Sequence, residues 1–132
     1  DTDSADGAAN DPHREPRGMM VLRTVAMPKD TNPNGDIFGG WIMSQMDMGG
    51  GLLAKEIAHG RVVTVTADAL TFLRPVKVGD TVCIYGEILR VGRTSTDLHL
   101  VTTGTFRFVA IDDSRRPRPI PRDPRYDHYR GE

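Results

Sequence analysis

The stretch from Gly39 to His59, GGWIMSQMDMGGGLLAKEIAH, constrains the fold more than any other, because only this segment is long and periodic enough for a substantial helix. Apolar residues recur in it on a 3.6-residue period, which is typical of a helix with a buried stripe. The stripe consists of Ile42, Met46, Leu53 and Ile57, with Trp41, Met48 and Leu52 well to one side of it. We therefore expect a helix that is wrapped on most of its surface.

Two features of this segment conflict with an ordinary buried helix. Asp47 places a carboxylate where its neighbours on a helical wheel are mostly small residues. The glycines at positions 49 to 51 each cost about 1 kcal/mol relative to alanine inside a helix. Such a conflict marks a place where a strand, a partner helix or a ligand must approach the backbone closely. The alternative is that the three glycines divide the segment into two short helices.

Runs of strand-forming residues lie on both sides of the helix. Met19 to Met27 is the first predicted strand, and Pro28 ends it. After Gly60 the pattern changes to an alternation of β-branched residues. The later predicted strands cover Arg61 to Leu73, Thr81 to Leu89 and Arg93 to Leu100. This order predicts an α+β fold in which an antiparallel sheet curls around one helix.

The strand signal does not stop at Leu100. It runs from Arg93 to Ile111, which is nineteen residues, whereas strands usually contain about 3 to 10. Either the strand is long and bent near Gly104, or residues that would form a hairpin loop are missing between Leu100 and Val101. We favour the second interpretation.

Composition limits the class of protein. Residues 19–112 form the predicted domain, flanked by a disordered polar tail over 1–18 and an Arg/Pro-rich tail over 113–132. A net charge of −1 gives no overall nucleic-acid signature. The single cysteine, Cys83, excludes an internal disulfide and favours a reducing compartment. No apolar run approaches the roughly 20 residues that span a bilayer. We expect a cytoplasmic protein that neither binds nucleic acid nor inserts into a membrane.

The loop that leads into the helix, KDTNPNGDIFGG from Lys29 to Gly40, is dense in turn-forming residues. Gly39 and Gly40 form the helix entrance. Unpaired backbone N–H groups and the positive end of the helix dipole meet there, and both suit a negative or developing negative oxygen.

Four motifs in the chain resemble those of one family. They are NPNGDIFGGW from Asn32, SQMD from Ser44, HGRVVT from His59 and TFLRPV from Thr71. They are similar to motifs of the YciA-type acyl-CoA thioesterases, which are hotdog-fold enzymes, and the match covers roughly Val21 to Arg118. The resemblance implies a helix wrapped by an antiparallel sheet, dimers joined through that sheet and often trimers of dimers. It also implies hydrolysis of acyl-CoA to a free acid and coenzyme A without a metal or redox cofactor.

The resemblance assigns three residues to the reaction. Thioester hydrolysis needs a group that activates water or attacks directly, and donors that hold the oxyanion. By similarity Asp47 is the general base or nucleophile, the Gly40 N–H binds the oxyanion, and Asn32 orients the water or the carbonyl. From the residues alone, Asp47 could instead accept hydrogen bonds at a subunit interface, Gly40 could simply begin a helix, and Asn32 could simply form a turn.

The spacing of these residues bears on assembly. Gly40 and Asp47 are seven residues apart, which places them on one side of the helix but about 10 Å apart along its axis. A short aspartate side chain does not reach a carbonyl bound at its own helix entrance. We therefore expect a composite site at a dimer interface, where Asp47 of one chain faces Asn32 and Gly40 of the partner subunit.

Further residues are predicted to contact the substrate. Phe38 and Gly39 lie at the helix entrance, and basic or hydroxyl side chains at strand ends suit the coenzyme A path. The latter are Arg74, Arg93, Thr94 and Ser95. A solvated surface role is nearly as well supported for each of them. The stretch from Arg115 to Arg118 could also reach phosphates, although an Arg/Pro-rich tail is more often disordered.

The chain departs from the family in two places. Relatives generally carry additional residues after the strand that corresponds to Arg93 to Leu100, which favours the interpretation that residues are missing there.

The second departure bears on the rival functions. Phe38 stands where broader hotdog relatives often place histidine, which disfavours a hydratase or dehydratase. The alternative is a non-catalytic module that binds acyl-CoA as a regulatory ligand, and the presence of Asp47 together with Asn32 argues against it. The four histidines lack ligand spacing, so we expect no metal site.

Overall fold

One long helix and a five-stranded antiparallel sheet make up the fold in the computed structural model, which describes residues 18–68, 70, 75–101 and 104–130. The strands are β1 (Met19–Val25), β2 (Val62–Asp68), β3 (Thr81–Val91), β4 (Ser95–Val101) and β5 (Gly104–Ala110), and the helix is α1 (Gly39–Ala58). The sheet order is β1-β3-β4-β5-β2, so β1 and β2 are the edge strands. The predicted α+β plan is confirmed.

The helix α1 is continuous through its glycines. Its predicted apolar stripe is buried, with 5%, 0%, 2% and 0% exposure for Ile42, Met46, Leu53 and Ile57. A Cβ atom on Gly49 would lie 2.8 Å from Val21 Cγ2, and one on Gly50 would lie 2.8 Å from Leu100 Cδ1. The sheet therefore packs directly on the helix backbone at these glycines. This confirms the predicted close approach, and the alternative of two short helices is wrong.

The other side of α1 is open in the single chain. Met43, Met48 and Leu52 are 37%, 54% and 53% exposed, and Asp47 lies among them as an exposed residue. The expectation that the helix is wrapped on most of its surface is therefore wrong for one chain. The physical reason is that the sheet packs against one side of the helix and leaves the opposite side for another molecule or for solvent.

The long strand signal after Arg93 is divided between two strands. β4 and β5 pair antiparallel, with Leu100 opposite Gly104, so the chain reverses between Val101 and Gly104. Residues 102–103 of this connection lie outside the described residues. The interpretation of one strand bent near Gly104 is wrong, because both halves gain hydrogen bonds by pairing with each other.

The second predicted strand is shorter than its pattern suggested. β2 covers Val62–Asp68, and Leu70 lies beyond its end. Residues 69 and 71–74 lie outside the described residues, as does the predicted substrate contact at Arg74. The first 17 residues, for which a disordered tail was predicted, also lie outside them.

The C-terminal segment, defined as residues 112–130, packs on the domain. Ile120, Asp123 and Tyr126 are 4%, 7% and 9% exposed, and the Ile120 N–H donates to the Arg93 carbonyl at 2.7 Å. The expectation of a disordered Arg/Pro-rich tail is therefore wrong for these residues. Two apolar side chains and a buried carboxylate fix the segment, although its composition is typical of disorder. Within the described residues, no helix combines the length and apolar character needed to cross a membrane.

Candidate active site

The loop before α1 is organised by Asn32. The Asn32 Oδ1 atom accepts the N–H groups of Asn34 and Asp36 at 3.0 and 3.1 Å. The Asn32 backbone N–H donates to the Asp36 carbonyl at 2.7 Å, and Gly35 turns the chain with a φ of +84°. The side-chain oxygen and the backbone N–H of Asn32 are therefore both used to hold the loop. The side-chain NH₂ group is the part of Asn32 that can donate to a ligand.

The helix entrance is built for an open backbone donor. No side chain caps the start of α1 at Phe38, and no acidic residue lies in its first turn. A Cβ atom on Gly40 would lie 3.2 Å from the Phe38 ring, so a side chain there would crowd the aromatic group. Gly40 is an exposed residue, and its N–H lies at the positive end of a helix dipole that no acidic residue of the first turn offsets, which suits an oxyanion.

Asp47 is held by a residue of the edge strand. The Thr64 hydroxyl, on β2, donates to Asp47 Oδ1 at 2.5 Å, and the β2–β5 register shifts between Thr64 and Thr66. Bulges of this kind commonly re-aim side chains next to functional sites. Sequence reasoning missed Thr64 as a partner of Asp47. The only sequence feature that pointed to it was its place at the end of the motif HGRVVT. A threonine in a predicted strand is already explained by its β-branched shape, so the hydroxyl gave no further indication.

The single chain does not bring Asp47 to the helix entrance. The two groups remain about two helical turns apart, roughly 10 Å along the axis, and Ser44 lies between them with its hydroxyl on the Gly40 carbonyl at 2.9 Å. Phe38, Gly39 and Gly40 form the entrance itself, Asn32 lies in the loop that leads into it, and Asp47 lies further along the exposed face.

Arg93, Thr94 and Ser95 lie at the opposite end of the sheet from the helix entrance. Arg93 and Thr94 lie in the turn between β3 and β4 and Ser95 begins β4, and the Gly92 N–H donates to the Ser95 carbonyl at 2.7 Å. The Thr94 carbonyl accepts from Ala110, and the next residue along, Ile111, donates to the Arg61 carbonyl. This turn therefore shares its end of the molecule with the helix exit rather than with Asn32 and Gly40.

The helix exit carries a second polar cluster. His59 ends α1 in the left-handed conformation, with a φ of +56°, and its Nε2 atom lies 2.8 Å from Asp123 Oδ2. Arg125 donates to both carboxylate oxygens of Asp123 at 3.2 and 2.9 Å. These contacts, those of Arg125 first and that of His59 next, hold the pKa of the Asp123 carboxyl well below its usual range. Asp123 thereby ties the C-terminal segment to the end of α1.

An open cleft of about 450 Å³ lies beside this cluster. We call it the helix-end cleft, and its lining residues come from the last turns of α1 and from the C-terminal segment. They are Leu52, Lys55, Glu56, His59, Gly60 and Arg125. In the described part of the chain, no three metal-ligating side chains are grouped in a way that could hold a metal ion.

The thioesterase superfamily model matches residues 34–101, which include the helix entrance, Asp47 and Thr64. The chain belongs to the thioesterase superfamily. Its relatives in that superfamily include the acyl-CoA thioester hydrolase YciA of Escherichia coli, which is 51% identical over 126 residues, covering 83% of this chain and 96% of the relative. An uncharacterized acyl-CoA thioester hydrolase of Haemophilus influenzae is 53% identical over 127 residues, covering 83% and 82%. The predicted resemblance to the YciA type is confirmed.

Solved structures share the fold. HI0827, a hexameric broad specificity acyl-coenzyme A thioesterase, superposes with a TM-score of 0.78 at 52% identity, covering 84% of this chain and 86% of that one. An acyl-CoA hydrolase from Staphylococcus aureus, in complex with butyryl coenzyme A, has a TM-score of 0.68 at 25% identity, covering 82% and 77%. That enzyme has also been solved with an asparagine replaced by alanine and with an aspartate replaced by alanine. The predicted hotdog fold is confirmed.

The lengths of these alignments show that the relatives and this chain differ by more than substitutions. The alignments with the two sequence relatives extend over 126 and 127 positions while covering only 83% of the 132 residues of this chain. The relatives therefore carry positions within the aligned region that have no counterpart here. The resemblance implied additional residues of this kind in relatives, and their place between Leu100 and Val101 stays a prediction.

Proposed function

We propose that this protein hydrolyses acyl-CoA to a free carboxylic acid and coenzyme A, with Asp47 as general base or nucleophile. The observation that carries the proposal is the Asp47 carboxylate, fixed by the Thr64 hydroxyl on the face of α1 that the chain's own sheet leaves open. A carboxylate that is oriented but accessible can take a proton from water or attack a carbonyl carbon.

We further propose that each site is composite. Asp47 of one chain faces Asn32 and Gly40 of the partner subunit, because the entrance of its own helix is about 10 Å away. The asparagine and the aspartate replaced in the S. aureus variants stand fifteen positions apart, which is also the separation of Asn32 from Asp47. That match supports Asn32 and Asp47 as the acting pair. The solved relatives named above include a hexamer, and we propose a homodimer that assembles into a trimer of dimers.

The edge strand β2 and the open face of α1 support this dimer. β2 pairs with β5 on one side only, and Val65 on it is 49% exposed. An edge strand with exposed apolar side chains is a template for pairing with a second copy. Such a contact would bury Met48 and Leu52 and would place Asp47 at the interface.

In the proposed reaction, Asp47 accepts a proton from a water molecule as that water attacks the thioester carbonyl carbon. The Gly40 N–H donates to the oxygen that becomes negative, and the Asn32 amide orients the water or the carbonyl. The C–S bond then breaks and coenzyme A leaves as the thiolate. Direct attack by Asp47 would instead form a mixed anhydride that water cleaves. After a single turnover in oxygen-18 water, label in the enzyme's carboxylate identifies direct attack followed by hydrolysis of the anhydride at the aspartyl carbon.

Asp47→Asn tests the proposed activity, since it keeps the shape of the side chain but removes the base. Coenzyme A release from short, medium and long acyl-CoAs should fall about 10²- to 10⁴-fold. Asp113→Asn, in the exposed turn after β5, is the matched control and should retain full activity. Binding of acyl-CoA without turnover in the unsubstituted protein would contradict the proposal and favour the regulatory binding module.

Mixed oligomers test the composite site. Asp47→Asn and Asn32→Ala subunits should each be inactive alone. When they are refolded together, about a quarter of the sites regain an intact Asp47 from one subunit and an intact Asn32 from the other. Absence of any regained activity in mixed oligomers would contradict a site shared between subunits.

We propose that the reaction needs no redox cofactor, because thioester hydrolysis changes no oxidation state, and no metal, because the Asp47 carboxylate can itself serve as the base that activates water. Unchanged turnover after treatment with a chelator would agree with this. We also propose a cytoplasmic location, for which the support is the single cysteine.

A further inference from the structure

We propose that Met43 ends the acyl pocket and thereby sets the length of the acyl chain that the site accepts. The proposal rests on the proposed function, in which Asp47 of one chain and Gly40 of the partner subunit act on one thioester carbonyl. The carbonyl group is the same in every acyl-CoA. Selection among acyl groups therefore needs a side chain that lies further along the open face of α1.

The helix buries most of its apolar side chains between its entrance and Asp47. Trp41, Ile42 and Met46 are 8%, 5% and 0% exposed, so they pack in the chain's own core and do not line a pocket on the open face. Met43 is 37% exposed and lies one helical turn before Asp47, which places the two on neighbouring positions of the helix surface. Within this stretch of the described chain, Met43 is thus the large apolar side chain that is open to a ligand.

The symmetry of a composite site places Met43 beside the twofold axis. If Asp47 of each chain faces Gly40 of the partner subunit, the two helices run antiparallel about one axis. The axis then crosses the helices midway between these two positions, at Met43 and Ser44. Each Met43 lies within about 1 Å of the axis along its helix. The methionines of the two chains therefore stand at the same level and close the space between the two sites.

The acyl chain extends from the carbonyl towards this pair of methionines. In the other direction the open side of α1 leads to Lys55 and Glu56, both of which are exposed, and this direction suits the polar part of the substrate. Towards the axis the helix presents Met43 and Ser44, and the Ser44 hydroxyl already donates to the Gly40 carbonyl at 2.9 Å. An apolar chain is more favourably placed on the side of the methionines than beside two charged groups.

The distance from Asp47 to the axis gives the length of chain that fits. It is half of the seven residues that separate Gly40 from Asp47, or about 5 Å along the helix. Carbon–carbon bonds of about 1.5 Å advance an extended chain by about 1.3 Å each, so an acyl group of about five carbons ends at Met43. A longer acyl group must displace the methionine. Because the side chain is unbranched and flexible, displacement lowers the rate with long chains but does not exclude them.

Chain-length profiles of Met43 variants test the proposal. The readout is the kcat/KM for decanoyl-CoA divided by that for butyryl-CoA, because any loss of assembled enzyme lowers both values and leaves their ratio unchanged. Met43→Ala makes room for further methylene groups and should raise this ratio about tenfold. Met43→Phe fills the same space and should lower it by a similar factor. Met20→Ala is the matched control, since this methionine of the edge strand β1 is 48% exposed, and it should change the ratio less than about twofold.

Two results would overturn the inference. One is an unchanged ratio in both Met43→Ala and Met43→Phe. The other is a lower ratio in Met43→Ala, which would mean that the methionine packs along the acyl chain and does not end it. If the unsubstituted protein hydrolyses both substrates in either case, the proposed function stands and only this inference fails. Absence of hydrolysis of both substrates by the unsubstituted protein would contradict the proposed function and this inference together.

Discussion

Alanine at Gly50 and at Gly51 should change stability in opposite directions. Both substitutions gain the same helix propensity, about 1 kcal/mol. A Cβ atom on Gly51 would find its nearest neighbour, Phe108 Cε2, at 3.8 Å, which is ordinary contact. On Gly50 it would lie 2.8 Å from Leu100 Cδ1 and 3.0 Å from Phe108 Cζ. Because Leu100 and Phe108 are 0% and 1% exposed, neither can move away freely.

The magnitudes follow from these contacts. Overpacking a tight core costs about 1 to 3 kcal/mol, so Gly50→Ala should be destabilised by about 1 kcal/mol net of propensity. Gly51→Ala should be stabilised by about 1 kcal/mol, which corresponds to a rise of about 4 °C in Tm for a domain of this size. The two variants should therefore differ by about 2 kcal/mol.

Thermal and urea denaturation at one fixed protein concentration would measure this difference, since stability of an oligomer depends on concentration. Equal stability of the two variants would refute the reasoning that the sheet, rather than glycine flexibility, selects Gly50. Destabilisation by Gly51→Ala would mean that a partner chain packs on that glycine as closely as the sheet packs on Gly50.

Three further predictions concern single contacts. Thr64→Val removes the hydrogen bond that orients Asp47, so in a steady-state assay it should lower kcat about five- to tenfold and leave KM unchanged. Thr64→Ser keeps the hydroxyl and should therefore keep the kcat of the unsubstituted protein. Because the folded structure lowers the pKa of the Asp123 carboxyl, the ionised carboxylate stabilises the folded state. This stabilisation is fully present above the ordinary carboxyl pKa of about 4 and is lost as the pH falls further. The Tm difference between the unsubstituted protein and Asp123→Asn should therefore shrink below that pH, and a constant difference would contradict the assignment. A Cβ atom on Gly60 would lie 2.7 Å from Arg118 Nη2 and would displace this side chain of the C-terminal segment. Trypsin should therefore cleave the C-terminal segment faster in Gly60→Ala than in Gly51→Ala.

The sequence predicted the helix and its buried stripe because periodicity reports directly on burial. It also predicted the close approach at Gly49 and Gly50, since the loss of helix propensity there needed a compensating contact. Thr64 was not predicted as the partner of Asp47, because spacing along the chain does not specify which strand lies beside which face of a helix. The C-terminal segment was misjudged because its Arg/Pro content indicates disorder, while its packing depends on Ile120, Tyr126 and the buried Asp123.

The apolar residues of α1 show why one expectation failed and another gained support. Periodicity identifies apolar positions but not the molecule that covers them, so Ile42 and Leu53 on one side and Met48 and Leu52 on the other all read as core. Within one chain the sheet covers only the first pair. The second pair lies on the same open face as Asp47, which in turn contacts Thr64 of the edge strand β2. An apolar surface next to an unpaired strand is costly to leave in water. If Asp47 and Gly40 act on one carbonyl, as proposed, their separation along the helix also calls for a second chain. Both arguments support the proposal that two subunits complete each other's site at this face.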